Sequence, residues 1–244
     1  MQARQYTPYF ARQWGAKEGA ARVQPSGELP IPDQSAFDRK FSDVAGLAGA
    51  RYFLLEFGAS RAAFAEDVSA AALCHRQHIV QFILDDARGE QLSLACHYAA
   101  YPDATNHFAF EPYVLATCPP RPKVGQRQTT SRASVGFEGF HGYVTRMGSR
   151  ASEELPGLYE LGYGLPYASF VEYAAYLHQL LSKGMGGWGE ALLGVYEPRH
   201  KSLTMFTDTF EKLITSVSEA VIARTRVVAS DDTSATQSTS PAID

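Results

Sequence analysis

The sequence predicts an α+β or α/β protein in which helices flank a mixed sheet. Three observations predict this class. The apolar segment YFLLEFG at residues 52–58 has the length and composition of a buried strand. Two pairs of apolar segments, within residues 78–99 and 191–206, are patterned as hairpins. Two segments beyond residue 168 repeat apolar residues at helical spacing. Helices therefore alternate with strands along the chain, which neither an all-helical nor an all-strand class explains.

Composition indicates an ordinary globular protein. The chain has 244 residues, of which 45% are hydrophobic and 20% charged, with a net charge of −4. That length can form one large domain or two small ones. A negative net charge gives no general attraction to nucleic acid or to anionic membrane, and no apolar run approaches the ~20 residues of a membrane helix. Three cysteines and the lack of a secretory signal predict a reduced, intracellular, cytoplasmic protein without a disulfide framework.

Three segments are predicted from composition along the chain. Residues 1–32 are interpreted as an N-terminal arm with a Pro-rich connector, because four basic residues and one acid in 1–24 show no clear period. Residues 33–228 are predicted to form a single globular domain, with a subdivision near 118–134 as an alternative. Residues 229–244 are rich in Ser and Thr and are predicted to be a disordered tail.

The first half of the globular part is predicted to contain a helix and a hairpin after the 52–58 strand. Ser60 is a candidate N-cap for a helix running to about Gln77. Residues 78–85 and 91–99 alternate in polarity and pair in a register that puts their apolar side chains, including Cys96, on one face.

The middle of the chain is less regular. Residues 101–112 are predicted to be a loop and 113–117 a short strand. Residues 118–134 form a long polar segment with three prolines, and 135–147 are predicted to be a strand interrupted by glycines.

The last third is predicted to be a helix–hairpin–helix unit that extends the N-terminal core. Ser169 and Glu172 match a capping box for the first helix, and Asp208 and Glu211 match one for the second. The hairpin lies between them, within residues 191–206. The second helix is predicted to end near its two basic residues at 224 and 226.

The carboxylate of Glu56 is the first candidate for chemistry. A carboxylate in so apolar a strand is paired, bound to a metal, held protonated or directed to water. Asp43 is predicted to end a short strand that precedes it, and a hairpin of the two strands would bring both carboxylates together. Two converging carboxylates suit Mg²⁺, which can activate water for phosphodiester cleavage. The simpler alternative places Glu56 at a solvent-facing edge or pairs it with Arg51 or Arg61.

This layout resembles the PD-(D/E)XK nuclease superfamily over residues 33–100, with an Asp on one strand, the acidic motif on the next, then a helix and a further strand. Gly58 stands where that family has its motif lysine, which would orient the attacking water. Arg61 and Arg76 are candidates to hold a phosphate instead, but arginine is too basic to accept a proton. The resemblance implies either a nuclease with Asp43 and Glu56 as catalytic residues and metal ligands, or a degenerate nuclease-like fold used for binding.

The second candidate is a basic segment at residues 121–150, which carries six cations and one acid, Glu138. Such a local excess of positive charge could meet a phosphate backbone or an acidic partner, and Phe137, Phe140 and Tyr143 could stack bases. A solvated loop is the simpler interpretation. The six cations are Arg121, Lys123, Arg127, Arg132, Arg146 and Arg150.

Two further patterns are interpreted as structural. The glycines within residues 183–190 follow a helix and precede a strand, the opposite of the order in a phosphate-binding loop. All three cysteines and four of the seven histidines fall within residues 74–118, but there is no CxxC pair. Cys96 and His97 would also face opposite ways if they were neighbours on a strand.

These observations predict a non-catalytic interaction or accessory protein that needs no cofactor and binds a protein partner in preference to nucleic acid. The first alternative is a Mg²⁺-dependent nuclease that uses Asp43 and Glu56. A second alternative is a small-molecule-sensing α/β/α domain, suggested by the strand–hairpin–helix pattern of residues 190–226.

Overall fold

A six-stranded mixed sheet with helices on both faces organises the chain, and the predicted α+β class is confirmed. The computed structural model describes residues 6–18, 34–65, 80–105, 107–117, 134–146, 163–183 and 189–235. Within these residues the strands are β1 (Arg51–Phe57), β2 (His97–Pro102), β3 (Phe108–Pro112), β4 (Val135–Gly136), β5 (Glu190–Glu197) and β6 (Ser202–Thr209).

The strand order in the sheet is β4-β3-β2-β1-β5-β6. β1 is parallel to β2, and every other neighbouring pair is antiparallel. β1 is therefore central, which explains why its sequence is apolar on both faces.

Helices cover both faces of this sheet. They are α1 (Tyr6–Lys17), α2 (Gln34–Val44), α3 (Ala62–Ala65), α4 (described over residues 80–85), α5 (Ala87–Cys96), α6 (Tyr113–Thr117), α7 (Phe137–Arg146), α8 (Tyr167–Ser182) and α9 (Phe210–Ala235). We call the face that α1 and α7 cover the aromatic face, and the face that the other helices cover the helical face.

The side chains of β1 alternate between the two faces, as its sequence predicts. Tyr52 and Leu54 belong to the core of the helical face, whereas Phe53 and Leu55 belong to the core of the aromatic face. All four are completely buried. The sheet thus separates two apolar cores, and β1 contributes to both.

The predicted C-terminal hairpin is confirmed, since β5 and β6 pair along their whole lengths. β5 also pairs with β1, so the hairpin belongs to the same sheet as the N-terminal strand. Gly194 lies opposite Phe53, and a Cβ atom at Gly194 would lie 2.3 Å from Cζ of that ring. Glycine is therefore required here by the close approach of an aromatic ring.

The N-terminal segment departs from the prediction of an arm. Residues 6–17 form α1, which buries Phe10 and Trp14 completely against the aromatic face. These residues are four positions apart, which places them on one side of a helix. Residues 19–33, which contain the whole predicted connector, lie outside the described part of the chain.

The predicted hairpin within residues 78–99 is wrong, because residues 80–85 are helical and α5 follows them. Asp86 caps α5 by accepting a hydrogen bond from the backbone N–H of Arg88. Val80 and Ile83 are buried whereas Phe82 is 45% exposed, a spacing that fits a helix and not a strand. A short apolar segment fits both the period of a strand and that of a helix, which is why the predicted hairpin is wrong.

The middle segment also differs from expectation. β3 forms within the predicted loop and pairs with β2, while the predicted strand at residues 113–117 is the helix α6. The predicted strand at 135–147 is mostly helical, because α7 follows the two-residue β4. Phe140 and Val144, four positions apart, are buried on the inner side of α7. Residues 118–133 lie outside the described part.

Both C-terminal helices are confirmed, but neither predicted capping box is correct. α8 begins at Tyr167, and Ser169 and Glu172 lie inside its first turns without a side-chain cap. The Glu172 carboxylate instead accepts two hydrogen bonds from Arg88.

The second helix begins and ends later than predicted. Thr209, not Asp208, accepts the capping hydrogen bond from the backbone N–H of Lys212. α9 continues to Ala235, so residues 229–235 are helical instead of belonging to a tail. Residues 236–244 lie outside the described part.

Candidate functional site

The two carboxylates of the predicted nuclease site lie in different environments. Asp43 lies on α2, where its side chain is exposed, whereas Glu56 lies in the buried strand β1. β1 pairs with β2 and β5, so the predicted hairpin between an Asp43 strand and β1 is wrong. In the described residues, no group of three or more His, Cys, Asp or Glu side chains is arranged to hold a metal ion.

Glu56 takes part in a buried polar chain on the helical face. Its side chain is 2% exposed, and Oε1 lies 3.1 Å from Nε2 of His97, the first residue of β2. Nδ1 of His97 lies 3.0 Å from the hydroxyl of Tyr173 on α8. The tautomer that satisfies both bonds carries its proton on Nε2, which donates to the carboxylate, while Nδ1 accepts from the hydroxyl. Of the alternatives left open for Glu56, the structure shows a buried, paired carboxylate, and its partner is neither Arg51 nor Arg61.

Aromatic rings enclose this chain. Tyr113 stacks on the His97 ring with centroids 4.4 Å apart and planes 2° from parallel, and Phe210 stacks at 5.2 Å and 13°. His97 is completely buried as a result. Burial raises the pKa of Tyr173 well above its usual value, so that its hydroxyl keeps its proton and can donate. The chain has the character of a structural network, because a substrate could not reach any of its three members.

Sequence reasoning missed this chain because it assigned Cys96 and His97 to one strand. Cys96 is the last residue of α5 and His97 the first of β2, so the alternation argument does not apply at this junction. Both residues are completely buried, and burial raises the pKa of the Cys96 thiol. A strand that begins at His97 would have placed it on one face with Ala99 and Tyr101. Nothing in the sequence, however, identifies β1 as its parallel partner.

The sheet register places three acidic residues in one row across the helical face. On one side of Glu56, Ala191 of β5 is its partner, and Asp208 of β6 pairs with Ala191. On the other side, Ala99 of β2 is its partner, and Glu111 of β3 pairs with Ala99. Neighbouring strands are about 4.8 Å apart, so the acids alternate with alanines at roughly twice that spacing. We call this set the acidic row.

Each outer carboxylate of the acidic row has its own cation. Nε of Arg61 donates to both oxygens of Glu111 at 3.1 and 3.0 Å, and the Tyr101 hydroxyl donates to Oε2 at 2.9 Å. Nζ of Lys212 lies 2.7 Å from Oδ2 of Asp208. Burial, followed by the bond to Glu111, raises the pKa of Tyr101 to about 12. The carboxylates of this row are therefore compensated within the chain.

The basic segment lies largely outside the described residues. Of its six cations, the structure places only Arg146, the last residue of α7. Two of the aromatic residues predicted to stack bases, Phe137 and Phe140, are buried in the core and are not available for that role. Tyr143 is 47% exposed and packs on Tyr163, with ring centroids 5.0 Å apart. The other five cations, Arg121, Lys123, Arg127, Arg132 and Arg150, are not among the described residues.

The remaining sequence candidates contribute little to a site. His107 is exposed on the loop after β2, while Cys74, His75, His78 and Cys118 lie outside the described residues. The glycines at 184–188 lie outside them as well.

Comparisons with family models, with curated proteins and with solved structures found no match to this chain. Among the helices that the structure describes, none has both the length and the apolar character needed to cross a bilayer.

Proposed function

We propose that this chain is a non-catalytic accessory protein that acts by binding a protein partner. The observation that carries the proposal is the state of Glu56, the central carboxylate of the predicted site. It is buried, bonded to His97 and covered by aromatic rings. A metal-dependent nuclease needs the corresponding carboxylate to face a metal and a substrate.

Two further observations favour binding over catalysis. Asp43, the second proposed ligand, is exposed on a helix. A Cβ atom at Gly58, the position of the missing lysine, would lie 2.5 Å from the ring of Phe64. A lysine there would require the ring to move, so the departure from the nuclease motif agrees with the local packing.

The basic segment is the proposed partner-binding surface. Its only acid, Glu138, lies 2.5 Å from Nζ of Lys17 on α1, so a cation of the same chain neutralises it. α7, within this segment, presents Tyr143 to solvent and ends in Arg146. Tyr and Arg are enriched in the parts of protein interfaces that dominate affinity. The local excess of positive charge in this part of the sequence, on a chain of net charge −4, suits an acidic protein region.

One experiment separates this proposal from the nuclease alternative. The full chain is incubated with supercoiled plasmid DNA and Mg²⁺ or Mn²⁺, beside a Glu56→Gln variant. We expect no cleavage by either protein. Metal-dependent cleavage that Glu56→Gln abolishes would instead establish the nuclease.

A second experiment tests the binding surface. The tagged full chain captures partners from cells that express it naturally, and the affinity of the recovered protein is then measured against Arg127→Glu/Arg132→Glu. We expect at least a tenfold loss, because rim charges accelerate association with an acidic partner. The matched control is Lys40→Glu/Arg199→Glu, which makes the same change in net charge at exposed positions outside the segment. Equal affinities for the two double variants would remove the basic segment from the proposal.

A further inference from the structure

Side chains hold α1 on the aromatic face. Phe10 and Trp14 are completely buried, and their rings contact aromatic rings of β1, β3, β5 and α7. Among the residues that the structure describes, no backbone hydrogen bond joins α1 to another element. α1 therefore packs as a ligand helix does in a groove, with aromatic anchors at positions i and i+4.

Two ion pairs complete this attachment at the C-terminal end of α1. Nζ of Lys17 lies 2.5 Å from Oε2 of Glu138, and Oε1 of Glu18 lies 2.8 Å from Nε2 of His141. Glu138 and His141 both belong to α7, three positions apart. We call the space that α1 occupies, between the sheet and α7, the helix groove. It receives two aromatic anchors followed by a cation and an anion.

The fit of α1 in the helix groove is imperfect. Oε1 of Gln13 and Nε1 of Trp14 are both buried without a hydrogen-bond partner. A buried polar atom that forms no hydrogen bond destabilises the packed state, because it has given up its bond to water. The carboxylate of Glu18, which directly follows α1, also lies at the negative end of the helix dipole, where an anion is unfavourable. A helix without these polar groups would therefore occupy the groove more favourably than α1 does.

We propose that the helix groove is a docking site for an amphipathic helix of the protein partner, and that α1 is its displaceable internal occupant. This inference rests on the proposed function and specifies how the partner binds. The partner helix carries two large aromatic or aliphatic residues four positions apart, and an apolar residue where α1 has Gln13. α1 can leave the groove and stay attached to the chain, because it ends at Lys17 and α2 begins only at Gln34.

The first test measures how often α1 leaves the groove in the full chain. In native-state hydrogen exchange we expect the hydrogen-bonded amides of α1 to exchange at least tenfold faster than those of α7, which covers the same face. Gln13→Met, which removes the buried amide, should slow the exchange of α1 at least threefold. Tyr9→Phe, which removes only the exposed bond between Gln13 and the Tyr9 hydroxyl, is the matched control and should change nothing. Equal exchange of α1 and α7, or no effect of Gln13→Met, would overturn the proposal.

The second test measures binding of a defined probe, a fluorescent peptide of residues 6–18. We expect the full chain with Lys17→Glu/Glu18→Lys to bind this peptide at least fivefold more tightly than the wild type does. The charge exchange weakens the hold on the internal helix and leaves the groove itself intact, so that the competent state is populated more often. A peptide with Phe10→Ala and Trp14→Ala is the matched control and should bind neither chain. Equal affinities of the two chains, no binding to the variant, or binding of the control peptide would overturn the groove as a docking site.

The natural partner separates failure of the groove from failure of the proposed function. A partner helix that competes with α1 should bind Gln13→Met at least threefold more weakly than the wild type, because the internal occupant is then held more tightly. If Arg127→Glu/Arg132→Glu weakens partner binding and Gln13→Met does not, the binding surface stands and the groove fails. If neither variant weakens it, both fail. Loss of affinity in both variants supports the groove and the surface together.

Discussion

Replacing Glu56 by leucine tests whether the buried polar chain stabilises the fold. Leucine has a similar volume, so the main change is the loss of the acceptor 3.1 Å from Nε2 of His97. His97 is completely buried and cannot recover a bond to water. A buried donor left without a partner costs about 1–3 kcal/mol. We therefore expect the free energy of unfolding to fall by about 2 kcal/mol, which lowers the melting temperature of a chain of this size by roughly 4–8 °C.

Urea denaturation followed by circular dichroism measures that change. Asp43→Leu is the matched control, because it removes the other predicted site carboxylate from an exposed helical position. It should change the free energy of unfolding by less than about 0.5 kcal/mol. An unchanged or increased stability of Glu56→Leu would refute the structural role of the chain and would return Glu56 to the candidates for catalysis.

Three further predictions follow from the same geometry. Glu111→Ala should lower the free energy of unfolding by about 1–3 kcal/mol in urea titrations, because its carboxylate is buried. Glu172→Ala, which breaks a similar but exposed pair with an arginine, should lower it by less than about 1 kcal/mol. Gly194→Ala should destabilise by about 1–3 kcal/mol through the clash with the ring above it, whereas Gly136→Ala, with open space at its Cβ, should be nearly neutral; calorimetry distinguishes them. Burial raises the pKa of Tyr52 to about 12 from 10.0, so this tyrosine favours the folded state below about pH 10, and that contribution is lost as the pH rises towards 12. Tyr52→Phe should therefore lose less stability than the wild type between about pH 9 and about pH 11.5, and an equal loss would contradict the assignment.

The parts of the fold that could be predicted from sequence are those with a strong local signal. β1 was identified because its residues are apolar on both faces, which only a central strand allows. The hairpin of β5 and β6 and the core faces of α8 and α9 were identified from their periods and their turn residues. Each of these signals lies within a segment of fewer than about 20 residues.

The parts that could not be predicted depend on contacts between distant segments. Residues 80–96 satisfy both a strand and a helix pattern, and the packing of Val80 and Ile83 against the helical face decides for the helix. In α1 only Phe10 and Trp14 indicate an apolar side of a helix. Their burial depends on packing against the aromatic face, which other segments of the chain form. The tertiary structure thus overrides weak local preferences.

At the candidate site, too, the local environment of a residue could be predicted, whereas its contact with a distant segment could not. The apolar strand limits the states open to Glu56, because a carboxylate among apolar neighbours is paired, bound to a metal, protonated or directed to water. Its partner, His97, could not be identified, because the parallel pairing of β1 with β2 joins segments 41 residues apart. The sequence left Arg51 open as a partner for Glu56, beside Arg61 and a solvent-facing edge. Strand alternation argues against that pairing, since residues 51 and 56 differ by an odd number and face opposite sides of the sheet.

The two faces of the sheet differ in how their buried charges are compensated. On the helical face, every carboxylate of the acidic row has a donor from the same chain, whether His97, Arg61 or Lys212. Removing any of these pairs should change the stability of the fold and leave binding untouched. On the aromatic face, Arg51 is buried without such a partner among the described residues. Because Nε of its guanidinium is buried without a partner, removing the charge by Arg51→Met should stabilise the fold.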